Sequence, residues 1–127
     1  ESAGTQLFFG LTGPLLNILD QGHILVIDEL DSSFHPLLVQ NILRMFQSPK
    51  TNPHGAQLIL TTHDVSLLDH GKLRRDQIWF TEKGNDQASK LFPLLDYSPR
   101  RGEALQKNYL DGRYGGVPIL ALRGEPL

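Results

Sequence analysis

Two adjacent carboxylates, Asp28-Glu29, stand immediately after the apolar run Ile24-Leu25-Val26-Ile27. Paired acids at the end of a strand can do two jobs. One can hold Mg²⁺ through water, because that ion takes oxygen ligands and keeps much of its hydration. The other can orient or deprotonate an attacking water. Solvated acids at a strand-to-loop transition give the same pattern, and so short a motif leaves both readings open. A second cluster, Thr62-His63-Asp64, ends the next apolar segment. A neutral imidazole there can bond a phosphate oxygen or a nucleophilic water, or it can cap the following turn. The third cluster is Ser2-Ala3-Gly4-Thr5, where a hydroxyl, a glycine and free N–H groups at a helix N-terminus suit an anion as well as an ordinary cap.

The elements that must position these clusters follow from apolar spacing. Leu7, Phe8, Leu11, Leu15, Leu16, Ile18 and Leu19 recur mostly at helical intervals, with Gly13-Pro14 expected to bend or break the helix. Ile24 to Ile27 reads as a strand apolar on both faces, as in the buried centre of a parallel sheet. Asp28 to Ser33 reads as a polar loop. Pro36 suits a first helical turn, and Leu37, Leu38, Ile42, Leu43 and Phe46 give the stripe of the helix it opens. Gln57 to Thr61 and Gln77 to Thr81 read as further strands, with a short helix around Val65 to Leu68 between them. Ser89 to Leu94 is expected to return as a partner strand, and Glu103 to Leu110 as a helix. Strand, helix, strand, helix, strand predicts an α/β fold, a mainly parallel sheet flanked by helices, with function at the carboxyl ends of the strands.

Composition narrows the classes. The chain has 127 residues, enough for one modest domain, and 39% hydrophobic residues to give it a core. Twelve Lys and Arg against fourteen Asp and Glu leave a net charge of -2, so charge gives no support to nucleic-acid binding or to an anionic membrane surface. The absence of cysteine rules out a disulfide scaffold, a thiolate zinc site and a cysteine nucleophile. No apolar run approaches a membrane span and no signal peptide is visible, so a cytoplasmic location is expected. The chain opens without an initiator Met, at residues that already resemble a helix entrance, and the expectation is a piece of a larger protein.

The ordered set of clusters resembles the C-terminal half of an ATP-binding-cassette (ABC) type head of the P-loop NTPase class. Ser2-Ala3-Gly4-Thr5 looks like the signature motif, followed by Gln6 as in stand-alone AAA-family ATP-binding proteins. Ile24 to Glu29 looks like Walker B, Leu30-Asp31-Ser32-Ser33 like the D-loop, and His63 like the switch histidine. The branch most similar is that of bacterial defence: abortive-infection, retron-associated and Septu-type ATPases, related to recombination and chromosome-maintenance ATPases. Residues 76–83 and 109–118 look like the same branch, although packing is the expected role of the second stretch. The resemblance divides the chain into residues 1–98, carrying the motifs, and a C-terminal extension of the same domain, 99–127.

That resemblance implies ATP and Mg²⁺ as cofactors, with Asp28 on the metal, Glu29 as general base and His63 on the γ-phosphate. Ser2, Ala3, Gly4 and Thr5 would act in trans on a partner head's nucleotide, and Asp31 would sit at the dimer seam. The chain contains no Gly-x-x-x-x-Gly-Lys-Ser/Thr. A phosphate cradle would therefore have to come from an N-terminal P-loop half of the same protein, and the chain alone is not expected to hydrolyse ATP. A homodimer of heads and a nuclease or toxin effector are the further partners the resemblance implies.

Two rivals stand beside this reading. A non-enzymatic dimerisation or regulatory module derived from such an ATPase fits the missing P-loop. A metal-dependent phosphohydrolase using His63 and Asp64 with His35 or His70 would require several ligands to converge.

Overall fold

A computed structural model describes residues 3–68, 72–84, 86–100 and 103–117, the side chains of 3–8 excepted. The chain divides into two units, residues 1–64 and 65–127. Their folds are α/β: one small parallel and one small antiparallel sheet, flanked by helices.

In the first unit α1 (Ala3–Gln21) continues across Gly13-Pro14 rather than breaking there. Pro14 withdraws a single N–H from the helical ladder, and the residue four positions back is Gly10, with no side chain to crowd the ring. Leu15 and Leu19, one turn apart and both buried, hold the segment after the proline against the core.

β1 (Ile24–Ile27) pairs in parallel with β2 (Gln57–Leu60), in a register running from Ile24 opposite Gln57 to Ile27 opposite Leu60. Parallel strands need a long crossover. Here it contains α2 (Leu30–Ser33) and α3 (Pro36–Gln47). The stretch expected to be a polar loop thus closes one helical turn, anchored by Leu30, which is fully buried. Pro36 opens α3 as its spacing predicted, and the ring Nδ1 of His35 accepts the Leu37 N–H at 3.3 Å as the cap. Val39, Ile42 and Leu43 form the buried face of α3. Asn52 then fastens the loop that leads to β2, donating to Phe46 and Ala56 carbonyls at 2.8 Å each and accepting the Ala56 N–H at 2.7 Å.

β1 is not buried on both faces. Leu25 and Ile27 are half-buried, whereas Ile24 and Val26 are 60% and 67% exposed. Ile59, paired with Val26, lies on the same open face. Alternate side chains of a strand point to opposite faces, so a sheet covered on one side leaves every second residue bare.

In the second unit β3 (Trp79–Lys83) and β4 (Ser89–Pro93) pair antiparallel, from Trp79 opposite Pro93 to Lys83 opposite Ser89. β3 was expected to extend the parallel sheet; it forms a separate two-stranded hairpin instead. The connection is too short for a crossover, and Gly84 closes it by donating its N–H to the Ala88 carbonyl at 2.8 Å. Val65–Leu68, Arg75–Gln77 and Leu94–Tyr97 are 3₁₀ turns, the first of them where a short helix was expected. Ile78, Phe80, Leu94, Leu105 and Tyr114 form the core, to which α4 (Leu105–Leu110) contributes its first residue.

The glycine-rich stretch after α4 is part of this packing. Phe80 stacks against Tyr109 and Tyr114, with ring centroids 5.2 and 5.7 Å away. The Tyr109 hydroxyl donates to the Gly116 carbonyl at 3.1 Å, and Gly115 and Gly116 both adopt φ of 70° to let the chain pass close to the β3–β4 ribbon. Among the described residues no helix is long and apolar enough to cross a membrane.

Candidate functional site

The in-register pairing of β1 and β2 brings their carboxyl ends to one edge, so Asp28-Glu29 and Thr61 to Asp64 leave the sheet side by side. Backbone bonds extend the contact past the strands. Thr61 donates its N–H to the Ile27 carbonyl at 3.0 Å, and its own carbonyl accepts the Leu30 N–H at 3.1 Å.

Glu29 occupies the left-handed region, with φ 50° and ψ 53°, at the cap of α2. A side chain makes this conformation unfavourable by about 1 kcal/mol or more, so neighbouring bonds must hold it. Its N–H donates to Thr61 Oγ1 at 2.8 Å, and the same hydroxyl donates to Asp28 Oδ1 at 2.5 Å. On the other side its carbonyl accepts from the Ser32 N–H at 3.0 Å and the Ser32 hydroxyl at 2.8 Å. The carboxylate is thereby turned toward His63: Oε1 stands 3.7 Å from Nε2, and both side chains are exposed. The pair is ionic only when the imidazole is protonated.

Asp31 joins the two segments a second time. Its Oδ1 accepts the His63 N–H at 3.1 Å. The Thr62 hydroxyl bonds to its carboxyl and is the largest cause holding that group below the usual carboxylate range, with the His63 N–H and the His63 ring adding to it. Thr62 Oγ1 also accepts the Asp64 N–H at 3.0 Å.

Of the residues singled out in the sequence, Asp28, Glu29, Asp31 and His63 come together at this edge. Ala3, Gly4 and Thr5 form the first turn of α1, and Ser2 lies outside the described residues. His35 serves as the α3 cap, and His70 lies outside the described residues. Sequence reasoning missed the part played by the hydroxyls of Thr61 and Thr62. The available signal was two consecutive threonines directly before a histidine at a strand end, where a hydroxyl readily bonds nearby backbone and side chains.

The edge offers oxygen donors. Among the described residues no group of three or more His, Asp or Glu is placed to hold a metal ion by itself. The donor chemistry at Asp28 nevertheless fits Mg²⁺, which needs only one or two carboxylates and fills its other positions with water and phosphate oxygens. What the arrangement can do is hold a water between an acid and an imidazole, with a second acid two residues from the first.

An α/β unit with acids and a histidine at the carboxyl edge of its parallel strands defines the general class. Comparison with known families is more specific. The family described as "AAA domain, putative AbiEii toxin, Type IV TA system" matches residues 1–69, more than half of the chain and all of the edge just described. The chain belongs to this AAA-domain family. Neither curated proteins nor solved structures gave a match.

Proposed function

We propose that this chain supplies the water-activating and partner-facing portions of an ABC-type ATPase head, with the fold of the C-terminal half of such a head. In this reading Asp28, which follows the Walker B-like run Ile24 to Ile27, would hold Mg²⁺. Glu29 orients and deprotonates the attacking water, and His63, as switch histidine, contacts the γ-phosphate. The observation that carries the reading is the approach of Glu29 Oε1 to His63 Nε2 at 3.7 Å, at an edge that Asp28 and Asp31 also reach. A water between the two side chains would lie within reach of a base and of a group able to bond the phosphate it attacks. When bound, the metal neutralises charge on the phosphates. The chain's own part is to place the water and take its proton, since phosphoryl transfer depends mainly on positioning and charge stabilisation.

Ser2, Ala3, Gly4 and Thr5 would act as a signature segment, pointing the N-terminus of α1 at the nucleotide of a second head. Asp31, bonded to the His63 backbone, would link the two sites across the dimer. The phosphate-binding loop would come from an N-terminal half of the same protein. The family description names a toxin of a type IV toxin–antitoxin system, which supports a toxin effector as the partner controlled by the ATPase. Defence against phage is the corresponding process.

The second reading, a dimerisation or regulatory module without catalysis, is favoured by one specific observation: no P-loop motif occurs in the 127 residues. Labelled ATP distinguishes the two. The catalytic reading expects weak or no binding by this chain alone, and binding with Mg²⁺-dependent hydrolysis once a P-loop segment is supplied. Continued failure to hydrolyse ATP after complementation would leave the regulatory module standing.

A further inference from the structure

Thr61 uses every polar group it has on the segment that bears the paired acids. Its N–H goes to the Ile27 carbonyl and its carbonyl receives the Leu30 N–H, so its backbone brackets residues 27–30 from both ends. Between those two bonds its hydroxyl receives the Glu29 N–H at 2.8 Å and donates to Asp28 Oδ1. A hydroxyl has one proton to give and lone pairs to receive, so a single atom can serve both neighbours in these fixed senses. The donor sense matters, because an ionised Asp28 can only accept. The acceptor sense matters because Glu29, at φ 50°, sits where a residue with a side chain needs its N–H held from outside.

We propose that Thr61 is a positioning residue for the water-activating step: its hydroxyl fixes the Glu29 backbone in the left-handed turn and so keeps the Glu29 carboxylate beside His63. This rests on the role given to Glu29 under Proposed function. It assigns to Thr61 no contact with nucleotide. Thr61 acts through Glu29, whose N–H its hydroxyl receives, and the bond it donates to Asp28 Oδ1 fixes the direction of that hydroxyl. Loss of the hydroxyl should release the Glu29 turn while leaving the β1–β2 pairing, which depends on backbone bonds, in place.

The test compares Thr61→Val, nearly the same shape without the hydroxyl, with Thr61→Ser, which restores it. Both are made in the ATPase assembled from this chain and the P-loop segment, with unfolding midpoints recorded to confirm a folded protein. Thr61→Val should lower kcat about tenfold or more while KM for ATP stays within about twofold, and Thr61→Ser should recover most of the loss. In a Glu29→Gln background the valine should cost little more, because a residue that acts through Glu29 has nothing left to position. A wild-type assembly that does not hydrolyse ATP would overturn the role of Glu29 and this proposal together. Active wild type with an equally active Thr61→Val, with a serine variant no better than valine, or with fully additive losses in the double variant would overturn the role of Thr61 alone.

Discussion

His63 Nε2 lies 3.7 Å from Glu29 Oε1, although the two residues belong to segments that follow different strands. The approach depends on the parallel register that sets Ile27 opposite Leu60 and on the left-handed turn at Glu29. If Glu29 is the base, removing its charge while keeping its shape should abolish chemistry and spare binding. Glu29→Gln in the complemented ATPase is expected to lower turnover by at least about a hundredfold with nucleotide affinity retained. Phosphate release measured beside labelled-ATP binding checks this, and a variant with normal turnover would remove Glu29 from the role.

Asp31 predicts a pH dependence. Its carboxyl is held below the usual range, first by the Thr62 hydroxyl and further by the His63 N–H and ring. A carboxylate that ionises more readily folded than unfolded stabilises the fold fully above its ordinary pKa of about 4, and that contribution disappears as pH falls through the lower folded value. Asp31→Asn removes the ionisation, so its stability should fall less steeply than wild type on acidification below about pH 4. Urea unfolding of both proteins across the acid range reads the difference; superimposable slopes would contradict it.

The edge was legible in the sequence because chemistry-bearing residues followed apolar strand segments, and parallel pairing gathers strand ends. Asp28-Glu29 and Thr62-His63-Asp64 could be placed on that basis. The bond made by Thr61 could not, since a threonine ending a strand reads equally as the last β-branched residue of the ladder or as a turn hydroxyl. Nor could the open face of β1. Ile24-Leu25-Val26-Ile27 gives the same apolar run whether one face or two are covered, and only the observed exposure of Ile24 and Val26 decides. The pairing of β3 with Ser89 to Leu94 was expected and is found. What local pattern did not show is that the two strands form a sheet of their own instead of extending the parallel one, with the turn around Gly84 folding β4 back on β3.

Asn52 should be among the costlier loop residues to truncate. Its side chain makes three bonds to the backbone of Phe46 and Ala56, all partly buried, and so fixes the path from α3 into β2. Asn52→Ala leaves two carbonyls and one N–H to find water, and a loss of about 2–3 kcal/mol is expected. The urea midpoint should drop with an unchanged slope, which would show that the native state has weakened rather than the unfolded state changed. A loss below about 0.5 kcal/mol would mean that water replaces all three bonds at little cost.

Gly22, between α1 and β1, tests backbone conformation directly. It has φ of 67°, and a Cβ built there would lie 2.5 Å from the His54 carbonyl oxygen. The obstacle is backbone, which cannot swing aside as a side-chain tip can. Gly22→Ala is therefore expected to cost about 2 kcal/mol or more, beyond the usual penalty for a left-handed alanine. Thermal unfolding measures it, and an unaffected midpoint would imply that the loop carrying His54 shifts freely.

Glu103 and Tyr114 make the last case, in the second unit. Glu103 Oε2 accepts the Arg100 N–H at 2.7 Å, while Oε1 accepts Asn108 Nδ2 at 2.6 Å and the Tyr114 hydroxyl at 3.0 Å. These donors, the Arg100 N–H foremost and the Tyr114 hydroxyl next, hold the Glu103 carboxyl below its ordinary range. Burial pushes the Tyr114 phenol up, and the adjoining carboxylate adds to that direction. Tyr114→Phe keeps the ring packed against Phe80 and Tyr97 but removes one donor to Glu103. The Glu103 pKa should therefore rise part of the way toward its ordinary value, because Arg100 and Asn108 still donate. Stability from the ionised carboxylate is fully present above the ordinary Glu pKa and is lost as pH falls through the folded value, so the variant has less of it to lose and finishes losing it at higher pH. At the alkaline end the order reverses: wild type loses the contribution of the neutral phenol as pH climbs past about 10, and the phenylalanine variant has no such loss. An NMR titration of the Glu103 carboxyl carbon in both proteins, read beside their acid and alkaline unfolding midpoints, measures both ends, and an unmoved Glu103 titration would show that Tyr114 contributes packing alone.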